Sequence, residues 1–236
     1  MSPLSVTWPY VLHRGHSDDP SQGACAMDAI NWLVHGKHGD APACACPVIS
    51  AYVRQGNDEM PTGIRQRLRG YLHRIAGSRC PAHRAARLRV LVLAAARVFA
   101  PRAMDAAGLH ELATWLRGIT DDAELGNITS RLALVATTAT TSGGAGIGAV
   151  IGAAMSAANC IDLAQVDAIG AARFAAVCAA RAASVDSAGW DDYFAVLDAA
   201  LAAGPQGEPW SADAVEIGVD LYRQHGGRTI NCEVTA

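Results

Sequence analysis

Eight side chains able to do chemistry crowd into one short stretch: His16, Cys25, Asp28, His35, His38, Asp40, Cys44 and Cys46 fall within 31 residues. Three chemistries fit that set. Zinc accepts thiolate sulfur, imidazole nitrogen and carboxylate oxygen in a tetrahedron, so Cys25, Cys44 and Cys46 with either His16 or His38 could supply four ligands. The spacing lacks the paired Cys-x2-Cys elements of a zinc finger, and Cys44-Ala45-Cys46 is a weak metal signal. A second chemistry is nucleophilic. Ser21-Gln22-Gly23-Ala24-Cys25 puts a thiol at the N-terminus of a helix, where free N–H groups and the helix dipole would favour thiolate. Its base would be His35, His38, His73 or His83, and the sequence selects none of them. The third reading makes these thiols small hydrophobes in a helical core.

The elements that must position these groups are helical. Met27, Ile30, Trp32, Leu33 and Val34 give a helical period that starts at Cys25 and stops at Gly36. Pro47 suits a first helical position, leading Val48, Ile49, Tyr52 and Val53. Asn57, Asp58 and Pro61 read as the turn that follows. Apolar periodicity then predicts a helix over 62–76, a core helix over 82–99 ended by Pro101, and a helix over 104–117. Alanine-rich helices are expected over 162–184 and 190–203. A Gly204-Pro205-Gln206-Gly207 linker leads to a last helix over 211–225, with Ser211 as cap and Gly226 as stop. Trp8 and Tyr10 are expected to pin a turn-rich arm onto the body. Nowhere does a period-two strand pattern appear, so the expected fold is all-α, a helical bundle or array with an Ala-rich C-terminal half. The expected division is 1–118, carrying the His/Cys cluster, and 119–236, with one continuous domain as the alternative.

Composition narrows the function classes. Half of the 236 residues are hydrophobic but only 6% are aromatic, and Lys37 is the single lysine among 19 basic residues. Heavy use of Ala, Arg and Gly carries the coding bias of a GC-rich genome. A net charge of −3 argues against a general polyanion binder, leaving Arg65 to Arg89 as the one stretch where nucleic acid could be met. Seven cysteines, an odd number without a leader pattern, fit reduced thiols in a cytoplasm. Between Arg131 and Asp162 no formal charge occurs, and Gly144, Gly148 and Gly152 repeat at helical spacing. Such small-residue spacing allows close helix packing, including a homo-oligomer. A membrane-active helix around 132–160 is the rival, with poor insertion drive because Ala, Gly and Thr dominate.

The stretches Gly23-Ala24-Cys25-Ala26-Met27-Asp28-Ala29, Asp40-Ala41-Pro42-Ala43-Cys44, Asn57-Asp58, Arg65-Gln66-Arg67-Leu68 and Ala76-Gly77-Ser78-Arg79 resemble an uncharacterised family of proteins from phages and GC-rich bacteria. The resemblance covers about residues 10–80. Its pattern has a His upstream of the Cys-x-Met-acid motif, matched by His16, and a Pro-x-Cys element, matched by Pro42-Ala43-Cys44. The family usually carries Glu where this chain has Asp28. The resemblance implies a phage or prophage context with a host or phage protein as partner, and no activity. It puts His16, Cys25, Asp28 and Cys44 forward as the set to test first, and zinc is the cofactor that the metal reading of these residue types would give them.

Overall fold

The computed structural model describes residues 8, 10–15, 22–36, 38–119, 124, 128–132, 134 and 147–207. Among them every regular element is helical, as expected, and the one extended pairing is an isolated parallel bridge between Leu12 and Ala24. The chain forms two compact units, one from residues up to Pro81 together with Pro205 onward, the other from Ala82 to Gly204. The expected boundary at 118 therefore falls inside the second unit. The helices on either side of it pack into a single core, which a boundary drawn on composition cannot register.

In the first unit, α1 (Ala26–His35) begins where the Cys25 sulfur accepts the Asp28 N–H at 3.3 Å. It ends where Gly36 turns left-handed (φ 59°) and returns its N–H to Trp32, a conformation glycine enters without a Cβ penalty. Helix α2 (Pro47–Glu59) has Pro47 in its first turn, and its cap Cys46 donates its backbone N–H to Ser78 Oγ at 2.9 Å. Contrary to the expected turn, α2 runs through Asn57 and Asp58. It stops only at Met60, held extended by the proline that follows. The helix expected over 62–76 is broken into α3 (Thr62–Arg65), a tighter 3₁₀ turn (Gln66–Tyr71) and α4 (Leu72–Ala76). Gln66 supplies a reason: its amide exchanges two 2.9 Å hydrogen bonds with the Leu12 backbone, tying the coil to the N-terminal arm. Trp8 and Leu12 of that arm are buried, and Trp8 meets the Tyr10 ring edge-on. Leu68, Leu72, Ile75, Ile30, Ile49 and Trp32 fill the core.

In the second unit, α5 (Arg84–Ala94), a π-helical turn (Ala95–Phe99) and α6 (Ala100–Ala106) form one continuous helical run. Pro101 was expected to end it. The run instead widens just ahead of the proline, with Ala100 N–H bonding five residues back to Ala95. That wider turn accommodates a ring that would otherwise strike the carbonyl four residues earlier. Gly108 (φ 78°) then turns the chain into α7 (His110–Arg117), splitting the helix expected over 104–117. The core is completed by α8 (Ile147–Leu163), α9 (Ala168–Val185) and α10 (Gly189–Ala202).

The α8–α9 pair packs through alanines: Ala153, Ala154 and Ala157 on one helix, Ala171, Ala172, Ala175, Ala176, Ala179 and Ala182 on the other, all buried. Of the glycine stripe, Gly152 faces α9 and Gly148 does not. A Cβ on Gly152 would meet the Arg181 side chain, and one on Gly148 would meet open space. Of the charge-free stretch, 147–160 is part of α8, whose Val150 and Ala153 face the core. Helix α9 has the length and composition of a membrane span, yet eight of its eighteen residues are buried inside this unit. The expected helix 211–225, Gly144, Lys37 and His16 lie outside the described residues.

Candidate functional site

The sequence motif residues of the first unit meet, but in an order that serves structure. Cys25 is 2% exposed, and its Sγ donates to Asp28 Oδ2 at 3.6 Å while also capping α1. Asp28 is fully buried. Its other oxygen, Oδ1, accepts the Gly39 N–H at 3.0 Å and lies 3.3 Å from His38 Nδ1. Asn31 donates to the Gly39 carbonyl, and the Trp32 ring lies beside His38. The carboxylate thus stands between the thiol and the imidazole. A cysteine nucleophile needs the imidazole against the sulfur, with any carboxylate behind it.

Electrostatics agree with the geometry. Burial, and then the charge of Asp28, push the Cys25 thiol up to about 12. The helix N-terminus was expected to lower it, but N–H donation from Asp28 and Met27 is outweighed. Cys44 is half-buried and also raised by burial, with nearby Arg79 working against the rise. Arg79 donates its backbone N–H to the Cys44 carbonyl at 3.2 Å and its guanidinium to Ala43. Asp40 pairs with Arg54 at 3.1 Å.

The set His16, Cys25, Asp28 and Cys44 does not assemble as a zinc site among the described residues. No group of three or more His, Cys, Asp and Glu side chains placed to hold a metal ion occurs there. Cys25 and Asp28 are adjacent, but each is engaged by the other and by backbone N–H groups, and Cys44 does not join them. His16 is outside the described residues. His73 and His83 lie on other elements, α4 and the 3₁₀ turn Pro81–His83.

Asn57 and Arg65, both in the motif stretches, are structural too. Asn57 Oδ1 accepts the Ala26 N–H at 3.2 Å and its Nδ2 donates to the His13 carbonyl at 2.9 Å. One side chain thereby joins the start of α1, the arm and the end of α2. Arg65 is 6% exposed and donates to the Asn57 and Met60 carbonyls at 2.7 and 2.6 Å. A cation there suits the electronegative C-terminus of α2, although burial lowers its pKa. The Arg65–Arg89 stretch is therefore no uniform basic face. Arg65 and Arg87 are buried, Arg74 bonds Gln206 at 2.6 Å and lies over the Tyr71 ring, and Arg67, Arg84 and Arg89 are exposed.

Sequence reasoning passed over a cleft in the second unit. About 610 Å³ in volume, it is lined by Arg97, Val98, Arg102, Asp105, Ala106, Arg117, Asp186 and Asp192. Arg102 reaches Asp192 at 2.6 Å through Nε and Asp186 through Nη1, and these carboxylates raise its pKa further. Arg117 bonds Asp105, which also lies 3.0 Å from His110 Nδ1, and these two partners depress the Asp105 pKa. Arg97, half-buried on the π turn, has no hydrogen-bond or ion-pair partner among the described residues. Comparison of the chain with protein-family models, with curated proteins and with solved structures returned no match.

Proposed function

We propose that this protein acts by binding, as an accessory protein of a phage or prophage, and that its cysteines carry no catalysis. The observation behind this reading is the partner of the Cys25 thiol. A fully buried carboxylate touches the sulfur, where a hydrolase or acyl transferase would have a histidine. A neutral, enclosed thiol next to a negative charge is a poor nucleophile, since the thiolate is the reactive form. The phage setting and a host or phage protein as partner rest on the resemblance of the Cys25–Asp28, Pro42–Cys44 and Asn57–Asp58 stretches. All six described cysteines are free, which suits a reducing compartment.

Thiol alkylation of the folded chain at neutral pH tests the reading. Half-buried Cys44 and Cys80 are expected to label first, with Cys25, Cys160 and Cys178 protected until denaturant is added. A Cys25 that labels fastest of all would return the enzyme reading to the front, with a histidine base to be sought.

A further inference from the structure

We propose that the cleft of the second unit binds a small organic anion, its carboxylate or phosphate group seated on Arg97 with Arg102 and Arg117 at its flanks. This inference does not depend on the role given to Cys25.

Three observations converge on it. The first is that Arg97 is half-buried in a cleft, yet among the described residues it has no partner, although it shares that cleft with three aspartates. A guanidinium in that position has its full fork of donors to offer. The second is that the two other arginines are held in place. Asp186 and Asp192 orient Arg102, while Asp105, backed by His110, orients Arg117. Arg102 spends two of its five N–H donors on those carboxylates and Arg117 one, so both keep donors for a ligand. Fixed guanidiniums bind oxyanions well because little rotamer freedom is lost on binding.

The third observation is the charge balance. Arg102 and Arg117 are offset by the aspartates. Asp186 is drawn further by the Ala188 N–H at 3.0 Å, where α10 begins. The three lining arginines and three lining aspartates balance overall, and because the aspartates are drawn to Arg102 and Arg117 the unshared positive charge is local to Arg97. One small anionic group would pair with Arg97 there, whereas a nucleic-acid backbone would meet the three aspartates as repulsion.

The π turn explains why this arginine is presented at all. Pro101 forces the widening at Ala95–Phe99, and single π turns are frequent at functional sites because they re-aim one side chain out of the helical register. Only Val98 and Ala106 offer apolar lining, so the body of the ligand is short. The volume suits a small metabolite.

The test titrates the full-length chain, ¹⁵N-labelled, with glycerol phosphate and separately with succinate at constant ionic strength, following arginine Nε–H resonances. The expected result is a saturable shift at Arg97 with one or both probes, the stronger binder telling phosphate from carboxylate. Arg97→Gln is expected to weaken that binding at least tenfold with an unchanged melting temperature, and Arg97→Lys to recover part of it. Ala106→Glu, at an exposed lining position, adds a repelling charge and is expected to weaken it similarly. Shifts that never saturate with either probe, that persist in Arg97→Gln and Ala106→Glu, or that methylammonium reproduces, would overturn the proposal.

Discussion

In the first unit the polar groups turn inward, whereas in the second they gather at a cleft over a core of alanine. Asp28, Asn57, Arg65 and Ser78 are buried and bonded mainly to backbone, joining short irregular helices that could not otherwise satisfy their ends. The second unit needs fewer such ties, because long helices satisfy most of their own backbone and close packing supplies the rest. Buried Arg87 apart, its charged side chains face solvent and one another. The difference teaches that a cluster of chemically able residues is not thereby a reactive site. In this chain the motif-rich unit is braced by its motif, and the plainer unit carries the accessible charge.

The largest expected effect tests whether both interiors are equally closed to charge. The Cys25 and Cys160 thiols are held at about 12, and Cys178 well above its usual value, all mainly by burial. Their folded values exceed the unfolded value of 9.0. Their contribution is therefore complete below pH 9 and is lost as pH rises from there toward the folded values. Each thiol should remove about 1.4 kcal/mol of stability per pH unit in that window. Denaturant titrations at pH 8 and at about pH 10.5 measure the slope, and Cys25→Ala and Cys160→Ala should each remove one share. A slope that neither variant changes would mean that water reaches these thiols.

Substitutions of opposite size come next. Leu72→Ala in the first unit opens a cavity and should cost about 3 kcal/mol, since Leu72 is fully buried. Ala175→Leu in the second overfills the α8–α9 seam and should cost about 2 kcal/mol, Ala175 being equally buried. Equilibrium denaturation measures both, and a neutral Ala175→Leu would show slack where the alanines are taken to be tight. The smallest effect is expected at the cleft. Arg102→Gln breaks two partly exposed ion pairs and should cost no more than about 1 kcal/mol, its partners being Asp186 and Asp192. A loss comparable to Leu72→Ala would make that network structural and erase the contrast between the units.

How much could be read beforehand follows the range of each signal. The helix start at Cys25, the Gly36 stop and the Pro47 start act within one turn, and all were legible. Asn57 and Asp58 were misread as a turn because a side chain suited to capping was recruited instead by distant backbone, at Ala26 and His13. Pro101 was misread as a terminus because the widened turn that rescues the helix has no residue signature of its own. The thiol of Cys25 was placed correctly at a helix start, yet its reactivity was inverted by burial and by Asp28, neither visible in local sequence. The cleft was invisible altogether, since Arg102 meets partners 84 and 90 residues away.

The return of the chain at Pro205–Gly207 has a consequence for biosynthesis. Gly207 lies so close to Gly77 and His73 that neither glycine has room for a Cβ, and Gln206 holds Arg74. The first unit is thus made from two stretches with the whole of the second threaded between them. On the ribosome its opening 81 residues must wait, incomplete, until everything through Gly207 has emerged. The second unit is contiguous and can finish first, so the first unit is completed only after it.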